Sequence, residues 1–209
     1  MEQTPAPPLV DTPESWPVAS SEDLFRDDWV MALRADRIRR PGDEGGEPFR
    51  RLVLEHPGAV VVLAVDEADG VHLLAQYRHP AGRRFVELPA GLCDEPGEEP
   101  VDVARRELRE EVGLEAGEWT HLTSTWSSPG ISAEQMHFFL ARGLTPVTDR
   151  DFEPTHEEAE MTAFVAPFAD LHAAVLDGRV TDAPLVIAVL VAAARGLVPG
   201  GVPATPAGE

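Results

Sequence analysis

Residues 100–112, PVDVARRELREEV, constrain the chain more than any other stretch. Val101, Ala104, Leu108 and Val112 recur at helical spacing, so the segment is predicted to be a helix with one apolar stripe. Pro100 suits the first turn and Gly113 is a natural stop. A helix with one greasy side needs a partner layer, and the flanking residues supply strands. Gly58–Asp66, GAVVVLAVD, is a continuous β-branched run, the pattern of a strand buried on both faces. After the turn EADG, VHLLAQYR reads as a second strand that forms a hairpin with the first, and Arg83–Leu88 as a third. Strands are expected around Trp119–Trp126, Met136–Ala141 and Met161–Ala166, and helices over Pro167–Leu176 and Ala183–Arg195. Strands before and after a central helix make an α+β domain.

The same helix carries Glu107, Glu110 and Glu111 at i, i+3 and i+4, so three carboxylates share one face. Like charges this close repel, and a divalent cation removes the conflict. Oxygen-only donors suit Mg²⁺ or Mn²⁺ rather than Zn²⁺. Three glutamates alone read first as a solvated acidic face, which is common, with Arg106 placed to pair with Asp102 or Glu110.

The whole chain has 17 basic and 37 acidic side chains, a net charge of −20. That argues against non-specific binding of nucleic acid or anionic membranes, which needs a basic face. It leaves an anionic ligand open, because a bound metal inverts the local charge. Arg78, Arg83 and Arg84 nevertheless lie within seven positions, just ahead of the acidic helix. Arginine recognises phosphate bidentately, and Arg78 is the best candidate contact. Arg83 and Arg84 fit a solubilising hairpin turn as well as a phosphate site. With Cys93 as the single cysteine, no intramolecular disulfide can form. Neither a signal peptide nor a spanning apolar run is visible, so a cytoplasmic protein without a membrane segment is expected.

Residues 1–18 and 198–209 are Pro-rich or Gly/Pro-rich and are expected to be a disordered leader and a flexible tail. Between them, residues 19–57 read as a small N-terminal β subdomain and 58–197 as the main domain. Asp27–Arg40 fits either a short helix or a strand. With the turn PGDEGGEP and PFRRLVLEHP after it, a hairpin over 27–57 is the reading chosen.

Arg106–Leu114, RELREEVGL, matches REUxEExGU, the helical half of the Nudix box. Glu98 stands eight positions before Arg106, as the box asks, while Gly91 stands one residue further from Glu98 than the strict pattern. The likeness extends to QYRHPAGRRFVELPAGL, which resembles the approach to the box in ADP-ribose pyrophosphatases. Pro129, fifteen residues past Leu114, and the late acidic loop followed by a strand, HEEAEMTAFV, fit the same group. The resemblance covers roughly residues 25–195. It implies a Nudix α/β/α sandwich with a small N-terminal β subdomain exchanged in a homodimer. It implies cleavage of ADP-ribose to AMP and ribose 5-phosphate with Mg²⁺, Mn²⁺ being possible. It also implies metal ligation by Glu107, Glu111 and the Ala90 carbonyl, with Glu110 shared between metal and catalysis. Glu158, then Glu157, is the expected base, and Arg78, Arg84, Pro129 and Trp29 are the expected substrate contacts. A Nudix hydrolase of a nucleotide sugar, NADH or a dinucleoside polyphosphate, or a non-catalytic ADP-ribose sensor, would share these features in part.

Overall fold

A computed structural model describes residues 9–43, 45–148 and 160–199. The chain divides into two compact units, Met1–Glu55 and His56–Glu209. The first unit is an antiparallel sheet of three strands, β1 (Val18–Arg26), β2 (Ala32–Ile38) and β3 (Phe49–Glu55), in that order. The predicted hairpin over 27–57 is therefore part of a three-stranded meander. The added strand β1, VASSEDLFR, is exposed along its whole length. It shows none of the apolar alternation that marks a half-buried strand. Arg34 fixes this unit by pairing with the buried Asp36 and with Glu55.

The described residues of the second unit form ten further strands and α-helices. They are β4 (Ala59–Ala64), β5 (Gly70–Arg78), β6 (Arg83–Glu87), β7 (Ala90–Leu92), α1 (Pro100–Val112), β8 (Leu114–Trp126), β9 (Gln135–Pro146), β10 (Thr162–Pro167), α2 (Phe168–Leu176) and α3 (Ala183–Ala194). Strands β7–β4–β9–β8 make one mixed sheet, with β4 parallel to β9, and β10–β5–β6 make a second. The expected β4–β5 hairpin does not form. The chain leaves one sheet for the other after β4, and only the bridge Val65–Val71 joins the two strands. A short turn signal fixes the loop, not the ladder that each strand joins.

The buried run of β4 faces two layers alternately, as a strand's period of two demands. Val60, Val62 and Ala64 pack with Phe139 and Ala141 against Val103, Ala104 and Leu108 of α1. Val61, Leu63 and Val65 face the other way, toward Phe138, Leu140, Leu73 of β5, and Phe168 and Leu185 of α2 and α3. This is the expected sandwich, with the box helix alone on one face. Gly113 closes α1 in the left-handed conformation at φ 68°, where its missing side chain avoids strain. Val198, placed at the head of the tail by sequence, is buried in the core, so packing runs on past α3. Residues 1–8 and 200–209, most of the expected tail and part of the expected leader, lie outside the described residues. Among the described residues no helix is long and apolar enough to cross a membrane.

Candidate active site

The site is built where β7 passes beneath α1. Strand β7 is only three residues, Ala-Gly-Leu, paired antiparallel to β4 so that Gly91 lies beside Val60. The small Ala90 and Gly91 let the helix settle close. A Cβ on residue 91 would lie 2.1 Å from the Glu107 carboxyl group, so Gly91 is the cradle that admits that carboxylate. Glu107 is 9% exposed. Burial lifts its carboxyl to about 7, the neighbouring Arg106 opposes the rise, and Glu110 adds to it. One turn on, Glu111 Oε2 accepts the Ala90 N–H at 2.9 Å, which ties the helix to the residue whose carbonyl is the expected third ligand.

Arg106 organises the rest of the box. Its Nη1 donates to Glu107 at 2.7 Å and to Glu110 at 3.5 Å. Its Nη2 stands 3.6 Å from Glu98 and 4.0 Å from Asp94. Asp102, a sequence-level candidate for Arg106, pairs with Arg105 instead. A cavity of about 490 Å³ opens here, lined by Asp94, Glu95, Glu98 and Arg106. Three carboxylates to one guanidinium is a lining that attracts cations and repels a bare phosphate.

With their internal partners in place, no three acidic, histidine or cysteine side chains close on one point among the described residues. The donor chemistry still fits a divalent cation. It is all oxygen, and around the buried Glu107 carboxylate the one guanidinium of Arg106 is set against the negative charges of Glu110 and Asp94. Glu107, Glu111 and the Ala90 carbonyl are the groups that would hold it. Cys93, beside them, has its thiol pushed up by burial and then by Asp94 and Glu98, which suits an inert loop residue.

The expected substrate contacts fall in different settings. Arg78, at the end of β5, is held by Glu87 of β6, which keeps its guanidinium charged, and the charges of Asp182 and Glu111 also reach it. Arg84 Nη1 donates to the carbonyls of Ala75 and Glu160 at 3.1 and 3.0 Å, so the chain itself occupies part of that side chain. Pro129 sits exposed in the turn after β8, closed by Ile131 N–H to Ser128 O at 3.0 Å. Trp29 belongs to the first unit and is 61% exposed, its N–H capped by Asp27. Trp126, in a strand-like context that favours the core, is instead 54% exposed at the end of β8. Glu157 and Glu158 lie outside the described residues.

Two carboxylates whose charge acts on Arg78 escaped sequence reasoning. Glu87 is 6% exposed, hidden within the ELPAG stretch that serves only as a family marker. Asp182 caps α3, accepting the Leu185 N–H at 2.9 Å, with Pro184 in the first turn. The sequence DAPL contains that signal. Burial raises the Asp182 carboxyl to about 6, and Glu87 adds to the rise while Arg78 opposes it. A carboxyl raised in the folded state holds its proton longer than in the unfolded chain. Its contribution to stability is therefore full below the ordinary value near 4 and is lost as pH rises through about 6. The loss is about 3 kcal/mol. Asn keeps the cap without the charge, so Asp182→Asn is expected to flatten this part of the pH–stability curve. Urea unfolding of both proteins at pH 4 and pH 7 checks it, and equal slopes would contradict it.

The chain belongs to the Nudix family: residues 55–188 match the NUDIX domain model, which takes in the box helix, β7 and the Arg78–Glu87 pair. Among curated proteins it is 44% identical over 161 residues to the ADP-ribose pyrophosphatase of Mycobacterium tuberculosis, covering 77% of this chain and 75% of that one. It is 42% identical over 121 residues to the ADP-ribose pyrophosphatase of Bacillus subtilis, covering 58% and 63%. A crystal structure described as an ADP compounds hydrolase shares the fold, with a TM-score of 0.69 over 90% of this chain and 96% of that one, at 21% identity.

Proposed function

We propose that the protein hydrolyses ADP-ribose to AMP and ribose 5-phosphate, using Mg²⁺ or Mn²⁺. The observation that carries this reading is the seating of an intact ExxEE face on Ala90-Gly91, with Glu107 in the Gly91 cradle and Glu111 on the Ala90 N–H. The names of the two relatives support the substrate. Glu107, Glu111 and the Ala90 carbonyl would hold the cation, and Glu110 would serve both metal and catalysis. A cation held there would supply charge neutralisation for phosphate oxygens and make a water more nucleophilic toward phosphorus. Glu158, or Glu157 next to it, takes the proton of that water. Arg78 binds the diphosphate, and Arg84, Pro129 and Trp29 complete the substrate contacts.

The protein acts as a homodimer in the cytoplasm. Leu24, Phe25 and Trp29 of the first unit are 41, 61 and 61% exposed, apolar surface that a second copy would cover. The test is a substrate panel at equal concentration: ADP-ribose, ADP-glucose, NADH and diadenosine polyphosphate. ADP-ribose is expected to give the highest kcat/KM. Preference for another member would retain the hydrolase and reject the substrate.

A further inference from the structure

Glu87 is a carboxylate in a place where charge is costly. It ends β6, is 6% exposed and belongs to none of the groups that would hold the cation. Its oxygens accept three hydrogen bonds from one side chain. Arg78 Nε donates to Oε1 at 3.0 Å and to Oε2 at 3.2 Å, and Nη2 donates to Oε2 at 2.7 Å. In the β5–β6 ladder Arg78 stands opposite Arg83, whereas Glu87 stands opposite Leu74. The Arg78 side chain therefore folds back along β6 to reach Glu87, three residues before Ala90.

A guanidinium offers five N–H groups in a rigid fork, arranged as two edges that can each grip an oxyanion. Glu87 takes the Nε–Nη2 edge. The edge formed by Nη1 and the second Nη2 proton is left for another acceptor, and half of the side-chain surface remains exposed to meet one. Arg78 cannot leave Glu87 to follow a ligand, because that would strand a buried carboxylate. The guanidinium is thus a fixed donor set in advance, near enough to the box for the charge of Glu111 to act on it.

We infer that Glu87 is a positioning residue of the diphosphate subsite: it orients Arg78 so that the outer edge of the guanidinium meets the substrate's phosphate oxygens. The inference rests on the diphosphate reading above. Such an interaction is made in ground state and transition state alike, so its loss acts on KM rather than kcat.

The experiment uses the full chain, Glu87→Gln, Arg78→Lys and the double variant. Binding of the uncleavable α,β-methylene ADP-ribose with Mg²⁺ is read by calorimetry, and KM and kcat on ADP-ribose by AMP release. Glu87→Gln is expected to weaken the probe about tenfold and raise KM equally, with kcat within about threefold. The double variant is expected to bind no worse than Arg78→Lys alone. If Glu87→Gln fails to fold by circular dichroism, Glu87→Asp, which keeps the charge but shortens the reach, is expected to shift KM in the same direction. Wild-type binding and KM in the folded Glu87 variants would overturn the inference, as would a full tenfold cost persisting in the Arg78→Lys background. A wild-type chain that neither binds the probe nor cleaves ADP-ribose would overturn the diphosphate reading itself, and the inference with it.

Discussion

Glu111→Gln is expected to lower kcat on ADP-ribose by about a thousandfold while the protein stays folded. The amide oxygen of glutamine still accepts the Ala90 N–H that Glu111 accepts at 2.9 Å, so the tie between α1 and β7 survives. What is lost is one negative charge at the cation site. Charge stabilisation by a bound metal is a matter of several kcal/mol, and each 1.36 kcal/mol is a factor of ten in rate, so three orders of magnitude is about the expected size. Steady-state rates beside a thermal melt separate the two effects. Activity within threefold of wild type would reject Glu111 as a ligand.

Gly91→Ala is expected to cost about a hundredfold in kcat/KM with only a small fall in Tm. The added methyl would stand 2.1 Å from the Glu107 carboxyl, far inside contact distance, so that carboxylate must swing away. The atoms met are all of that one side chain, Cγ at 2.5 Å as well as the carboxyl, and no backbone is among them, which limits the cost in stability. A displacement of about 1 Å in a catalytic constellation commonly costs two orders of magnitude. Gly45→Ala, where nothing lies within 4 Å, is the control and should change nothing. An unchanged rate in Gly91→Ala would mean that Glu107 need not occupy the cradle.

The contrast between these two positions shows what the sequence reveals and what it conceals. Helix α1 is legible to the residue, because apolar spacing, Pro100 and Gly113 all mark the same boundaries. The burial of β4 on both faces is legible from its β-branched run. The strand's partners are not, since β4 and β5 are joined by a hairpin-like turn yet enter different sheets. Strand β1 is silent because a strand exposed throughout has no alternation to read. Strand β7 is silent because three residues carry no pattern, although the cradle for Glu107 depends on Gly91 within it. In the site, residues on one helix face could be grouped by spacing alone. The Arg78–Glu87 pair could not, because it depends on the register of a hairpin and on a side chain that runs back along the ladder. Asp182 arrives from an element 71 residues beyond Glu111, and only the folded chain brings its charge to bear on Arg78.

The most direct test of the central claim is product formation from ADP-ribose by the purified protein, with MgCl₂ and again with excess EDTA. AMP and ribose 5-phosphate in equal amounts with MgCl₂, and none with EDTA, is the expected result. Turnover that persists in EDTA, or products other than this pair, would contradict it.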